Sequence, residues 1–190
     1  MLSILNIKNM VCPRCISAVE GILGELEIEF DSVSLGEVRL KKVLSDDDLA
    51  AIETRLVQLG FELLNDRKLQ VVEKIKNTIV QIVHHQDDPQ KIGHLSEQLP
   101  EMLNLNYSLL SKLFSEQEGI TIEKYFILQK IEKAKELLKY NEMNITEISD
   151  RLNYSSSQHF SRQFKSVTGM SPSEFIKQRE SHRKPLDNIK

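Results

Sequence analysis

The sequence predicts an α+β chain in which a β-α-β-β-α-β unit over residues 1–66 is followed by an all-helical remainder. Three observations carry this reading. Period-two and period-3.6 apolar patterns alternate up to Asp66, strand patterns stop beyond it, and the charge balance changes sign at the same place. Residues 1–66 hold 6 Lys+Arg against 12 Asp+Glu, net −6, whereas the other 124 hold 19 against 16, net +3. From Ser155 onward the count is 7 against 3, so basic charge gathers toward the C-terminus.

At 190 residues, 40% hydrophobic and 28% charged, the chain falls in the globular range for one or two domains. No apolar run approaches the roughly 18 residues of a bilayer span. The start, MLSILNIKNM, lacks the basic flank and long apolar stretch of a signal peptide, so the expected location is the cytoplasm and no membrane partner is expected. Thiols there stay reduced. A lone cysteine pair then points to metal or redox chemistry rather than to a structural disulfide.

The elements follow in order. LSILNIK alternates as a strand, with Leu2, Ile4 and a displaced Asn6 on one face and Leu5 and Ile7 on the other. Cys15 to about Glu27 reads as a helix with Ile16, Val19, Leu23 and Leu26 on one stripe. DSVSLGEVRLKK reads as a hairpin around Leu35-Gly36. SDDDLAAIETRLVQLG is a helix with a Ser45 cap, three acids in its first turn and Gly60 as its stop; FELL closes the unit as a short strand. This order is that of a ferredoxin-like split βαβ unit.

Beyond Asp66, LQVVEKIKNTIVQIVHH places Val71 or Val72, Ile75, Ile79 and Ile82 on one stripe, ended by DDP at 87–89. Periodicity leaves open whether this helix is a linker, a dimer contact or the first helix of the next domain. The organisation expected is 1–66, a linker helix over 67–90, and a helical domain over 91–190.

From Ile145 the chain reads ITEISDRLNYSSSQHFSRQFKSVTGMSPSEF. Ile145, Ile148 and Leu152 stripe a short helix, Asn153-Tyr154 turn, and Ser155 to Ser157 offer a cap. In the next helix Phe160, Phe164 and Val167 face inward, leaving Gln158, Ser161, Arg162 and Lys165 on the other side. An aromatic stripe anchors such a helix while Gln and Arg reach base edges and Lys reaches phosphate. Residues 95–119 repeat the form, with Leu109 or Leu110, Leu113 and Phe114 inward and Ser108, Ser111 and Lys112 outward. A helix over 122–138, with Phe126, Ile127, Ile131, Ala134, Leu137 and Leu138 as core, connects the two. Two such helices on a rigid connector suit successive major-groove faces of double-stranded DNA, about one turn apart.

These residues resemble the AraC/XylS family of bacterial transcription regulators, over about Leu95 to Arg179 and most specifically in NYSSSQHFSRQFKSVTGMSPSEF. The resemblance implies base-reading roles for Ser157, Gln158 and Arg162, a backbone contact for Lys165, and matching positions at Ser108, Ser111 and Lys112. Phe160, Phe164, Gly169 and Pro172 match structural positions. Three departures stand out: Ser149 where a small residue is usual, Asn153 where the turn takes glycine, and Pro100 inside an expected helix. Glu116 and Glu118 with a single lysine make the first reading helix the weaker one.

Both cysteines lie in NMVCPRCISAVEG, where a strand gives way to a helix. Cys15 in the first helical turn, beside Arg14, is the expected thiolate, with Met10 plugging the core beneath the loop. Met10, Cys12 and Cys15 inside a β-α-β-β-α-β unit resemble the heavy-metal-associated, copper-chaperone-like domain, with Asn9 where that family has glycine. The resemblance implies Cu(I) held by two thiolates, which as soft ligands suit it; Zn would need four donors, hence histidines or a second chain. Competing readings are a dithiol redox switch and cysteines that serve only as small core residues. CPRC also looks like a thioredoxin-type dithiol, but no proline lies between Pro13 and Pro89 to face it. His84-His85 end a helix, where cationic imidazole complements the dipole, and His159 packs beside the reading face.

No Ser-His-Asp set, phosphate loop or paired carboxylates stand out, so no enzyme is expected. The sequence thus points to a DNA-binding transcription regulator whose CxxC domain senses a soft metal ion. The alternatives are a redox-responsive regulator using Cys12 and Cys15, and a metallochaperone or thiol oxidoreductase with a helical docking module. Whether chains pair as a homodimer stays open.

Overall fold

Strand β1 (Ser3–Lys8) lies inside a four-stranded antiparallel sheet of order β2-β3-β1-β4, with β2 at Phe30–Ser34, β3 at Glu37–Leu40 and β4 at Glu62–Leu63. The computed structural model of the protein describes residues 3–85, 95–140 and 142–181; DDP at 87–89 and most of the basic tail lie outside them. Helix α1 (Pro13–Glu25) follows β1 and α2 (Asp46–Gln58) follows β3. The β-α-β-β-α-β order expected from the patterns is the order present. Leu5 pairs with Val38 and Ile7 with Leu63 across the ladders. Together with Val19, Leu23, Ile52 and Leu56 they form one core, and Met10 is its fully buried plug below the cysteine loop.

Local signals behave as expected. Ser45 caps α2 by accepting from the Asp48 N–H at 3.1 Å, within a capping box. Gly36 closes the β2–β3 turn at φ +80, a conformation that favours a residue without Cβ. Asn9, standing where the metal-associated pattern has glycine, adopts φ 73. Asparagine tolerates this region, and its Nδ2 donates to the Gly60 carbonyl at 3.0 Å, a bond glycine cannot make.

Asn6 shares a strand face with Ile4 but differs from it in burial: Ile4 is 48% exposed and Asn6 only 9%. The reason is helix α3 (Arg67–His84), whose Lys74 pairs at 3.1 Å with Glu37, the cross-strand neighbour of Asn6. The first turns of α3 are tied to the sheet: Gln70 Nε2 donates to the Leu64 carbonyl at 2.8 Å and Asn77 Nδ2 to the Leu35 carbonyl at 3.2 Å. The α1 helix starts at Pro13 rather than Cys15, because proline at the first position needs no N–H partner.

The remaining helices are α4 (Leu95–Leu103), α5 (Tyr107–Glu118), α6 (Ile122–Tyr140), α7 (Ile145–Arg151), α8 (Ser157–Thr168) and α9 (Pro172–Ser181). Pro100 stands inside α4, which tolerates it with the loss of one backbone bond. The chain divides into two compact units, one of Met1–Thr78 with Leu99–Gly119 and the other of Ile79–Gln98 with Ile120–Lys190. In the second, Ile131, Ala134 and Leu138 of α6 pack with Ile148, Leu152, Phe160 and Phe164. Ile127 and Leu137, expected in the core, pack against it half-buried, and Phe126 is half-buried too. Among the described residues no helix is long and apolar enough to cross a membrane.

Candidate nucleic-acid interface and dithiol loop

Helix α8 begins where Ser156, in extended backbone, accepts the His159 N–H at 3.1 Å. It ends at Gly169, left-handed at φ 84. Between these ends one face carries Phe160 and Phe164, both fully buried. Ring centroids run from Tyr154 to Phe160 at 5.3 Å, to Phe164 at 5.7 Å, and on to Phe175 at 5.6 Å. A run of tilted and edge-on aromatic pairs holds the helix from behind more firmly than aliphatic contact alone. The opposite stripe, Gln158, Arg162 and Lys165, is exposed at helical spacing, with Ser157 and Ser161 half-buried at its margin. An exposed guanidinium and amide on a rigid helix can form the bidentate bonds that distinguish guanine and adenine, with an ammonium alongside for phosphate.

The approach to α8 is set by two residues that depart from the expected pattern. Asn153 takes φ 51 in the turn, the left-handed conformation in which asparagine substitutes for glycine. Ser149 on α7 is fully buried, its hydroxyl without a partner, so the site selects for size rather than for hydrogen bonding. Behind the turn, Lys130 of α6 is 7% exposed, its Nζ 3.8 Å from the Tyr154 ring centroid and 3.5 Å from the Asn153 carbonyl. Burial pulls its pKa down to about 8 and pushes the Tyr154 phenol up. No sequence pattern pointed to Lys130, since a lysine on a long helix ordinarily faces water.

The first unit repeats the local design. Asn104 turns the chain at φ 52, as Asn153 does in the second. Asn106 caps α5 by accepting from the Leu109 N–H at 2.8 Å. Leu110 and Phe114 are the buried pair; Leu109 is 39% exposed. Ser108 and Lys112 are exposed and Ser111 half-buried, but Lys112 lies 3.9 Å from Glu116, so its charge is partly answered on its own helix. The reading face of α5 is accordingly less positive than that of α8.

His159 packs edge-on against Tyr154 at 5.4 Å and its Nδ1 meets Ser155 Oγ at 3.0 Å, beside the reading face as expected. His84 departs from expectation. It bonds Gln129 at 2.9 Å through Nε2, and burial lowers its pKa, so it favours the neutral ring over a cationic helix terminus.

In the cysteine loop Cys12 is the N-cap residue of α1 and Pro13 its first position. The two sulfurs lie 3.4 Å apart, both half-buried and free of disulfide. The Cys12 thiol is held below its ordinary range. The Cys15 amide is the main cause, followed by the Cys15 thiol and, more weakly, Arg14, against a small opposing cost of burial. Position explains this, since a residue at the cap faces the free N–H groups of the first turn. Among the described residues no cluster of three or more His, Cys, Asp or Glu is present.

Residues 99–178 match a family model described as a helix-turn-helix domain. Among solved structures, the chain is similar to the C-terminal domain of AraT, a response regulator from Geobacillus stearothermophilus. That likeness has a TM-score of 0.51 at 26% identity and covers 66% of this chain and 95% of the other. Among curated proteins, it is 27% identical over 118 residues to the HTH-type transcriptional regulator YtdP of Bacillus subtilis, covering 62% of this chain and 15% of that protein. It is 30% identical over 103 residues to the Msm operon regulatory protein of Streptococcus mutans, covering 54% and 36%. The chain thus spans well under half the length of these relatives.

Proposed function

We propose that the AraC-type helix-turn-helix domain carried in the C-terminal half makes this chain a DNA-binding transcription regulator, not an enzyme, acting in the cytoplasm. The observation that carries this reading is the outward stripe of Gln158, Arg162 and Lys165 on a helix locked by Phe160 and Phe164. Gln158 and Arg162, with Ser157 and Ser161, read base edges; Lys165 holds phosphate. Ser108, Ser111 and Lys112 make the weaker second contact. The DNA-binding domain covers 91–190 and a ferredoxin-like domain of heavy-metal-associated type covers 1–66.

In this reading the N-terminal domain is the sensor. Cys12 and Cys15 present two soft donors, the set a monovalent copper ion accepts, whereas zinc would require two further donors, from histidines or a second chain. When bound, the ion supplies positive charge and ties the two sulfurs together; the chain's part is to present Cys12 as thiolate over the Met10 plug. The close sulfur pair and the lowered Cys12 thiol also favour a second reading, in which the pair is oxidised reversibly and the chain answers redox state.

Selection of duplexes from a random pool by the full chain, with and without Cu(I) in reducing buffer, tests both halves. Enrichment of one motif with an affinity that falls steeply with salt supports the regulator. Enrichment of none contradicts it. An affinity that changes with Cu(I) supports the metal sensor; one that changes only with a disulfide-forming oxidant favours the redox switch.

A further inference from the structure

Asn9, three residues before Cys12, is pinned twice: its side chain holds the Gly60 carbonyl, and its backbone N–H donates at 3.0 Å to Oε1 of Glu73 on α3. Glu73 is only 6% exposed, so its carboxylate has little water to fall back on if that donor moves. Its other oxygen lies 3.6 Å from Lys76 Nζ. The same ammonium lies 3.4 Å from Oε1 of Glu118, the last residue of α5. One lysine therefore stands between the carboxylate that grips the dithiol loop and the carboxylate that ends a reading helix.

We infer that Lys76 couples the state of the dithiol loop to the position of α5. The inference rests on the proposed role of the loop as the sensor. A negative side chain at a helix C-terminus opposes the helix dipole, and α5 has no basic residue in its last turn to answer it. Lys76 supplies that charge from α3. The side chains of Lys76, Glu73 and Glu118 are 20%, 8% and 30% exposed, so solvent screens the triad less than it would surface pairs. Met10 is fixed in the core, so a displacement of the loop on ion binding falls on Asn9 and its N–H bond to Glu73. Glu73 then draws harder on Lys76, and the Lys76 to Glu118 contact weakens by the same act. The loop and the helix compete for one cation.

The test uses the full chain, Cu(I) delivered through a competing chelator, and a duplex selected by the wild type. Three quantities are measured for wild type, Lys76→Met, Lys76→Arg and Glu118→Gln: Cu(I) affinity alone, DNA affinity alone, and DNA affinity with Cu(I). The wild type is expected to change its DNA affinity about 5- to 150-fold on loading, and DNA to change Cu(I) affinity by the same factor. Lys76→Met and Glu118→Gln bring that factor close to one while Cu(I) affinity without DNA is retained; Lys76→Arg keeps a response. Variants that bind Cu(I) and retain the full wild-type factor overturn the coupling role of Lys76 while leaving the sensor reading intact. A wild type that binds DNA but takes up no Cu(I), or takes it up without response, sinks the sensor reading and the relay together. Glu118→Gln, at a more exposed position, decides the matter should Lys76→Met fold poorly.

Discussion

The ammonium of Lys130 lies 3.8 Å from the centroid of the Tyr154 ring, within the unit that carries the α8 reading helix. Cation and ring face attract, but burial withholds water from the charge, and the net effect lowers the Lys130 pKa to about 8 from 10.5. Between these two values the unfolded chain holds a proton that the folded chain has released. Stability therefore rises with pH across that window and is lowest below pH 8, where both states are charged. The expected gain from pH 7 to 10 is on the order of 1–3 kcal/mol. Urea unfolding at the two pH values checks it. Lys130→Met should abolish the gain and be no less stable than wild type at pH 7.

Phe160 and Phe164 hold α8 in place, and both are fully buried. Phe160→Ala should cost about 3–5 kcal/mol, by lost burial plus the cavity left behind. The loss appears as a lower urea midpoint and as loss of duplex binding. Arg162→Ala, on the exposed face, should leave the midpoint within about 0.5 kcal/mol.

Gly36 turns the β2–β3 hairpin at φ +80 with the Asn77 side chain directly over it. An added Cβ meets both strain and a clash with that amide, so Gly36→Ala should destabilise by more than about 1 kcal/mol in thermal unfolding. The reverse comparison is Asn9→Gly, which keeps the backbone conformation and loses only the bond to Gly60; it should cost about 1 kcal/mol or less.

The Cys12 thiol, held low by the Cys15 amide and thiol, should be alkylated by iodoacetamide at pH 7 faster than an unperturbed cysteine. Peptide mapping by mass spectrometry at a series of pH values reads this directly. A Cys12 profile with an ordinary thiol midpoint would contradict the assignment.

Much of this was legible in the residues because it is local. The Ser45 cap, the turn at Gly36, the turn at Asn153 and the phenylalanine stripe of α8 depend on neighbours within a few positions. What escaped the sequence depends on distant partners. His84 looks like a cationic cap until burial favours its neutral ring, and Lys130 like a solvent lysine until Tyr154 closes over it. The start of α1, two residues earlier than the apolar stripe suggests, puts Cys12 at the cap.

In the proposed reading the exposed edge of α8 reads DNA through Arg162 while Lys165 only holds it. Fluorescence anisotropy of full-length wild type, Arg162→Ala and Lys165→Ala is measured against the selected duplex, its single-base-pair variants and several salt concentrations. The account predicts that Arg162→Ala loses about 1–3 kcal/mol and the discrimination at one base pair, whereas Lys165→Ala weakens all duplexes alike and lowers the salt slope by about one. Identical behaviour of the two variants on matched and mismatched duplexes would contradict it.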